Sequence, residues 1–191
     1  GVHGVGRAGR LGEGERGSVD CGTADEGEAA DMAKTYAVGN VSVEARQLLD
    51  TTERSLAAGI EAARAGNRLG DVSAAIQDVV ERDGFWVVRE FVGHGIGREF
   101  HEGPEVPNYG RAGTGPRLRP GLVLAIEPMV ALRRARVVIA DDGWTASTED
   151  GSLAAQFEHT VAITKHGPRV LTSKDPSPQT AMAERGGVHG A

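Results

Sequence analysis

Residues 70–92, GDVSAAIQDVVERDGFWVVREFV, change character at one glycine. Ahead of it, Val72, Ile76, Val79 and Val80 recur at the 3.6-residue period of a helix with one buried face, spanning about 70–83. Gly84 supplies the stop, and Trp86 to Val92 beyond it is rich in β-branched and aromatic residues, which predicts a strand. A helix with one apolar face running straight into a strand means helix packed on sheet.

The flanking sequence repeats both patterns. Residues 42–65 place Leu49, Leu56, Ile60 and Ala63 on one helical stripe, with Ser42 as N-cap and Gly66 as stop. Earlier still, Ser18 to Asp20 and Asp31 to Val38 read as short strands around a glycine- and acid-rich turn, Gly22 to Glu28. Downstream, Leu122 to Ile126, Val137 to Ile139 and Gln156 to Thr164 read as strands joined by loops dense in Gly and Pro. Two helices on several mostly antiparallel strands predict the α+β class with a curved sheet. No repeat of solenoid-like period is present. The first 17 residues hold seven glycines and only Val2, Val5 and Leu11 as large apolar side chains, too few for a core element. Ser173 to Ala191 is rich in Pro, Gly, Ser and Ala without periodicity and reads as a disordered tail, so the fold is expected between about residues 17 and 172.

Composition narrows the partners. A net charge of −6 leaves no basic excess for a phosphate backbone, which argues against direct nucleic-acid binding. The single cysteine, Cys21, cannot close an internal disulfide, and no stretch reaches the ~18 apolar residues of a membrane span. A reducing cytoplasm is the expected setting, with no membrane partner.

The candidates for chemistry arrive one per segment: Asp20 and Asp31 on the early strands, His94 in GHGIG, Glu127 in AIEPM and Glu158 in QFEHT. Four carboxylates and one imidazole suit a pair of divalent ions, because a bridging carboxylate can hold both. Two such ions ~3.5–4 Å apart can share a water, lower its pKa and so generate a hydroxide nucleophile able to hydrolyse an amide. A carboxylate taken alone is more often a solvated surface group. Context favours more here, since Glu127 directly follows the apolar run Leu122 to Ile126 and Glu158 lies between Phe157 and a strand, where an unpaired charge is costly. His94 between two glycines reads equally well as a ligand or as an incidental turn residue. His101, on the same connection, is placed to donate a hydrogen bond to a scissile carbonyl or its oxyanion. His159 follows Glu158 directly and should point to the opposite face, while His166 and His189 sit in turn and tail contexts.

VDCG at 19–22, Asp31 with Thr35 four residues on, GHGIGREFHEGP at 93–104, RPGLVLAIEPM at 119–129, DDGWT at 141–145 and AAQFEHT at 154–160 resemble the successive signatures of the type I methionine aminopeptidases. The resemblance runs from about His3 to Leu171. It implies the pita-bread fold, two related α+β halves around a curved antiparallel sheet, and metal-dependent removal of the initiator methionine from nascent proteins. It implies two divalent ions (Co, Mn, Fe or Zn), with Asp20 bidentate to one, Asp31 and Glu158 bridging both, His94 the lone histidine ligand, and Glu127 both ligand and proton shuttle. It also implies that His101 and His3 contact the substrate, and that Phe100 and Trp144 wall the methionine pocket. The implied partners are nascent polypeptide N-termini at the ribosome, and the implied state is a monomer.

Two departures stand out. Ala29-Ala30 occupies the place where relatives have His-Gly before the bridging aspartate. Relatives also carry several dozen residues ahead of the position of His3, so residues 1–172 are expected to be a catalytic domain incomplete at its N-terminus. The rivals are an Xaa-Pro aminopeptidase of the same fold, a non-catalytic pita-bread binding module and an inactive remnant. Met129 after Glu-Pro, and FEHT at 157–160 in place of an Arg-x-Glu-Asp run, argue against the first. The full ligand set argues against the second.

Overall fold

The computed structural model describes Val2, Gly4, residues 9–134 and residues 136–173. Its first unit is a hairpin of β1 (Arg16–Asp25) and β2 (Glu28–Ala37), paired antiparallel along their whole length. The chain reverses in two residues, Glu26 (φ 48°) and Gly27 (φ 85°), the positive-φ pair that matches the twist of hairpin strands. The strands are therefore longer, and the turn tighter, than the acidic composition of 22–28 suggests. Backbone pairing holds the hairpin, and β1 turns much of its surface to water, so it needs no apolar alternation.

Two helices follow, α1 (Val43–Ala62) and α2 (Leu69–Arg82). Ser42 caps α1 by accepting the Ala45 N–H at 3.1 Å, and the Asp71 carboxylate accepts the Arg68 N–H at 2.7 Å at the start of α2. The buried face of α1 is Leu48, Thr51, Thr52, Ser55, Leu56 and Gly59, while Leu49 and Ile60 of the expected stripe are only half-buried. The hydroxyls of Thr52 and Ser55 donate to carbonyls of the same helix at 2.7 Å, so polar side chains face the core without losing a partner. Gly59 lets the helices close: a Cβ there would lie 2.7 Å from Ile76 Cγ1.

Ten short strands complete the fold: β3 (Trp86–Val87), β4 (Gly93–Gly95), β5 (Glu102–Val106), β6 (Val123–Ile126), β7 (Met129–Ala131), β8 (Val137–Ile139), β9 (Ala146–Thr148), β10 (Ala154–Gln156), β11 (His159–Thr164) and β12 (Gly167–Val170). The largest sheet runs β12-β11-β6-β4-β5, a second runs β10-β7-β3, and β8 pairs with β9. All these pairings are antiparallel, as the α+β expectation requires. Leu56, Val72 and Ile76 of the helices pack on Leu124, Ile126, Val161 and Ile163 of the large sheet.

Two expected strands are interrupted. Trp86 to Val92 pairs as a strand only over its first two residues. Gln156 to Thr164 is two strands: β10 pairs with β7, β11 pairs with β6, and the chain changes neighbour at Phe157-Glu158. That break sets Glu158 between the two sheets.

The core also begins earlier than residue 17. Val2 is buried against Val88, Met129, Ala131, Ala146 and Ala154, and its N–H donates to the Ala146 carbonyl at 2.8 Å. The tail expected from 173 lies, after Ser173, outside the described residues. Among the described residues no helix is long and apolar enough to cross a membrane.

Candidate metal centre

His94 is the only side chain that β4 carries. A Cβ at Gly93 would lie 2.3 Å from the Ala125 carbonyl oxygen, and one at Gly95 would lie 2.3 Å from that of Gly103. The flanking glycines therefore let neighbouring backbone close in and leave the imidazole as the strand's one functional group. Its Nδ1 is 2.8 Å from the Gly95 carbonyl oxygen, which can only accept, so Nδ1 carries the proton and Nε2 offers its lone pair. Nε2 stands 3.7 Å from Glu127 Oε1.

The hairpin register fixes the two aspartates. Asp31 lies opposite Gly22 and Asp20 opposite Ala33, so both carboxyls project from one face, on adjacent rungs of alternate residues. Asp20 lies near enough to raise the Asp31 carboxyl through its charge. Ligand atoms of Asp31, His94 and Glu158 all lie within 4.8 Å of one another. Five positions scattered over the sequence thus meet: Asp31, His94 and Glu158 directly, Glu127 through His94, and Asp20 through Asp31.

Four of the five are out of water, with exposures of 7% for Asp31, 9% for His94, 9% for Glu127 and 2% for Glu158, while Asp20 on β1 is exposed. Burial, then the charges of Asp31 and Asp20, pushes the Glu127 carboxyl up to about 8. Burial, then Glu127, Asp31 and Asp20, pushes Glu158 up to about 10. Asp31 is raised by burial and by Asp20, and His94 is lowered mainly by burial, which favours its neutral form. Asp31 Oδ1 and Glu158 Oε1 are buried without a hydrogen-bond partner. Among the described residues no lysine or arginine pairs with Asp31, Glu127 or Glu158. What the cluster lacks is positive charge. Neutral imidazole nitrogen with carboxylate oxygen is the donor set of a hard or borderline divalent cation, so the residues fit such an ion.

The expected substrate residues stand around this cluster unevenly. The His101 ring lies 4.3 Å from that of His94, centroid to centroid, on the exposed bend after β4. Phe100 is 5.3 Å from His101 and rests on β1, where a Cβ at Gly22 would meet its Cζ at 2.1 Å. Trp144 sits in the β8–β9 turn and is 59% exposed. His3 lies outside the described residues; of its neighbours, Val2 donates its N–H to the Ala146 carbonyl and Gly4 lies beside Thr145. His159 Nδ1 is 2.9 Å from Thr172 Oγ1. Ala29, at the departure from the family pattern, donates its N–H to the Gly97 carbonyl at 2.7 Å, so this start of β2 is held by main chain.

Two supporting side chains escaped the sequence reading. Buried Gln156 reaches Glu127 Oε2 through Nε2 at 3.5 Å, and Asn108 Nδ2 donates to the Glu127 carbonyl oxygen at 3.0 Å. Gln156 carried a signal, being a polar residue inside an apolar strand. Asn108, in a loop, carried none.

Residues 1–165 match metallopeptidase family M24. The chain belongs to that family. Family membership brings the divalent-metal requirement that the buried donor set fits, and the fold is the pita-bread fold. Over 171 residues the chain is 53% identical to a methionine aminopeptidase of Clostridium perfringens, covering 90% of this chain and 69% of the relative. It superposes on the crystal structure of a methionine aminopeptidase from Thermotoga maritima with a TM-score of 0.83 at 50% identity, covering 85% of this chain and 65% of the other. This M24 chain thus spans about two thirds of the length of these relatives. A prolidase from Pyrococcus horikoshii OT3 matches with a TM-score of 0.70 at 23% identity over 92% of this chain and 45% of its own, a likeness of fold alone.

Proposed function

We propose that this chain is a methionyl aminopeptidase that removes the initiator methionine from nascent polypeptides as they leave the ribosome, acting as a cytoplasmic monomer. The observation that carries the proposal is the buried meeting of Asp31, His94, Glu127 and Glu158, with two carboxylate oxygens lacking any partner. In this reading Asp20, Asp31, His94, Glu127 and Glu158 hold two divalent ions drawn from Mn, Fe, Co or Zn, which ligands of mixed N and O type accommodate alike. When bound, such a pair lowers the pKa of water and polarises a carbonyl.

The remaining work falls to the chain's own groups. In this reading Glu127, in its ionised form, takes a proton from the attacking water and returns it to the leaving amine. His101, beside His94, donates a hydrogen bond to the scissile carbonyl as negative charge builds on its oxygen. Phe100, packed against β1, and Trp144, on the β8–β9 turn, flank the methionine side chain, and His3 contacts the peptide.

The test is release of free methionine from a Met-Ala-Ser peptide with Mn, Co, Fe or Zn supplied. Turnover that disappears in Glu127→Ala and on chelation is the expected result. Metal uptake without methionine release would leave a non-catalytic module or remnant, and preferential cleavage ahead of proline would favour the Xaa-Pro reading.

A further inference from the structure

β2 and residues 156–160 run antiparallel without forming a regular ladder. At the centre, the Glu158 N–H donates to the Ala33 carbonyl at 2.7 Å, and Lys34 bridges to Phe157. On either side of that centre a threonine hydroxyl stands where a main-chain group would. Thr35 Oγ1 accepts the Gln156 N–H at 2.9 Å and donates to the Gln156 carbonyl at 3.0 Å. Thr160 Oγ1 accepts the Asp31 N–H at 2.8 Å and donates to the Asp31 carbonyl at 2.8 Å. Each hydroxyl thereby satisfies both polar groups of the residue opposite.

Thr160 is itself fixed. It is fully buried, its N–H donates to Thr172 Oγ1 at 3.1 Å, and its carbonyl accepts from Leu171 at 2.8 Å. It lies opposite Ala125 of β6, which lies opposite His94 of β4. One hydroxyl therefore ties the main chain of Asp31 to the row of strands that carries His94, two residues from Glu158.

We propose that Thr160 is a positioning residue of the metal centre: its hydroxyl spaces β2 from β11, and so sets how Asp31 and Glu158 present their oxygens to the cations. The inference rests on the metal-centre reading above. The aspartate side chain has a single carbon between Cα and carboxyl, so a displacement of its backbone reaches the ligand atoms undiminished. Outer-shell partners of this kind change metal affinity about 10- to 100-fold when removed.

The test is titration of the metal-free protein with Co(II), read by calorimetry and by the visible absorption of the bound ion. Wild type is expected to saturate, Thr160→Ser to match it, and Thr160→Val to bind about tenfold more weakly or worse with an altered absorption band. Thr52→Val removes a buried threonine hydroxyl bond within α1 instead, and is expected to lose thermal stability while keeping wild-type affinity. Should Thr160→Val fail to fold, Thr160→Ala replaces it, with the same weakening expected. Wild-type affinity and spectrum in a folded hydroxyl-less variant, or equal loss of Co(II) affinity in Thr52→Val, would overturn the proposal. No Co(II) uptake by wild type would instead remove the metal-centre reading beneath it.

Discussion

The Nε2 of His94 and the Oε1 of Glu127 face each other across 3.7 Å, both on buried side chains. The gap is too long for a hydrogen bond. It suits two ligands of one ion, each about 2.0–2.2 Å from it. Burial favours the neutral imidazole, and burial with neighbouring carboxylates favours the protonated Glu127, so in the metal-free protein each group waits in its uncharged form.

Removing the imidazole should therefore weaken one ion and spare the fold. His94→Ala is expected to lower the affinity of one metal by about tenfold or more, read by equilibrium dialysis with metal analysis. Unchanged content and affinity would take His94 out of the ligand set.

The His101 ring packs against that of His94, and His101 is not among the proposed ligands. His101→Ala should lower kcat by about 10²-fold or more while metal content stays intact, the pattern of a lost oxyanion donor. An unaltered kcat would exclude it from the reaction.

Glu127 and Glu158 make the metal-free protein sensitive to pH in a defined direction. Both carboxyls have folded pKa values above their ordinary value of 4.5, so between that value and about 8 to 10 the folded state holds protons that the unfolded chain has released. Stability is thus fully present below about 4.5 and is lost as pH rises through the folded values. Thermal unfolding of the metal-free protein should show its midpoint falling from pH 6 to pH 9, and Glu158→Gln should flatten the slope. A midpoint that rises over that range would contradict the assignment.

The sequence displayed the site better than it displayed the fold around it. The two helices follow from apolar period and capping, because Ser42, Gly66 and Gly84 act locally. The face of α1 was less legible, since Thr52 and Ser55 bury hydroxyls that bond back to their own helix, and only packing against Ile76 explains Gly59. Short strands such as β4 and β12 escaped because partners distant in sequence, not local propensity, make them strands. Glu127 and Glu158 were legible as candidate ligands because a carboxylate beside an apolar run is expensive without a cation. Thr160 lies within the AAQFEHT motif, yet its two bonds to Asp31 depend on a register that no local pattern encodes.

The interface between α1 and α2 supplies a control away from the chemistry. Ile76 is fully buried against Gly59, and Ile76→Ala should cost about 2–5 kcal/mol in urea unfolding. Metal stoichiometry should be unchanged in that variant. Loss of metal binding at a pH and temperature where the variant remains folded would tie the centre to helix packing.

The most direct measurement is calorimetric titration of the metal-free chain with Mn(II) near neutral pH, repeated in buffers of different ionisation enthalpy. Saturable uptake of two ions per chain, with protons released as the raised carboxyls of Glu127 and Glu158 give them up, is the expected result. Absence of saturable uptake, or uptake unaffected by replacing Asp31, His94 and Glu158 together, would contradict the metal centre.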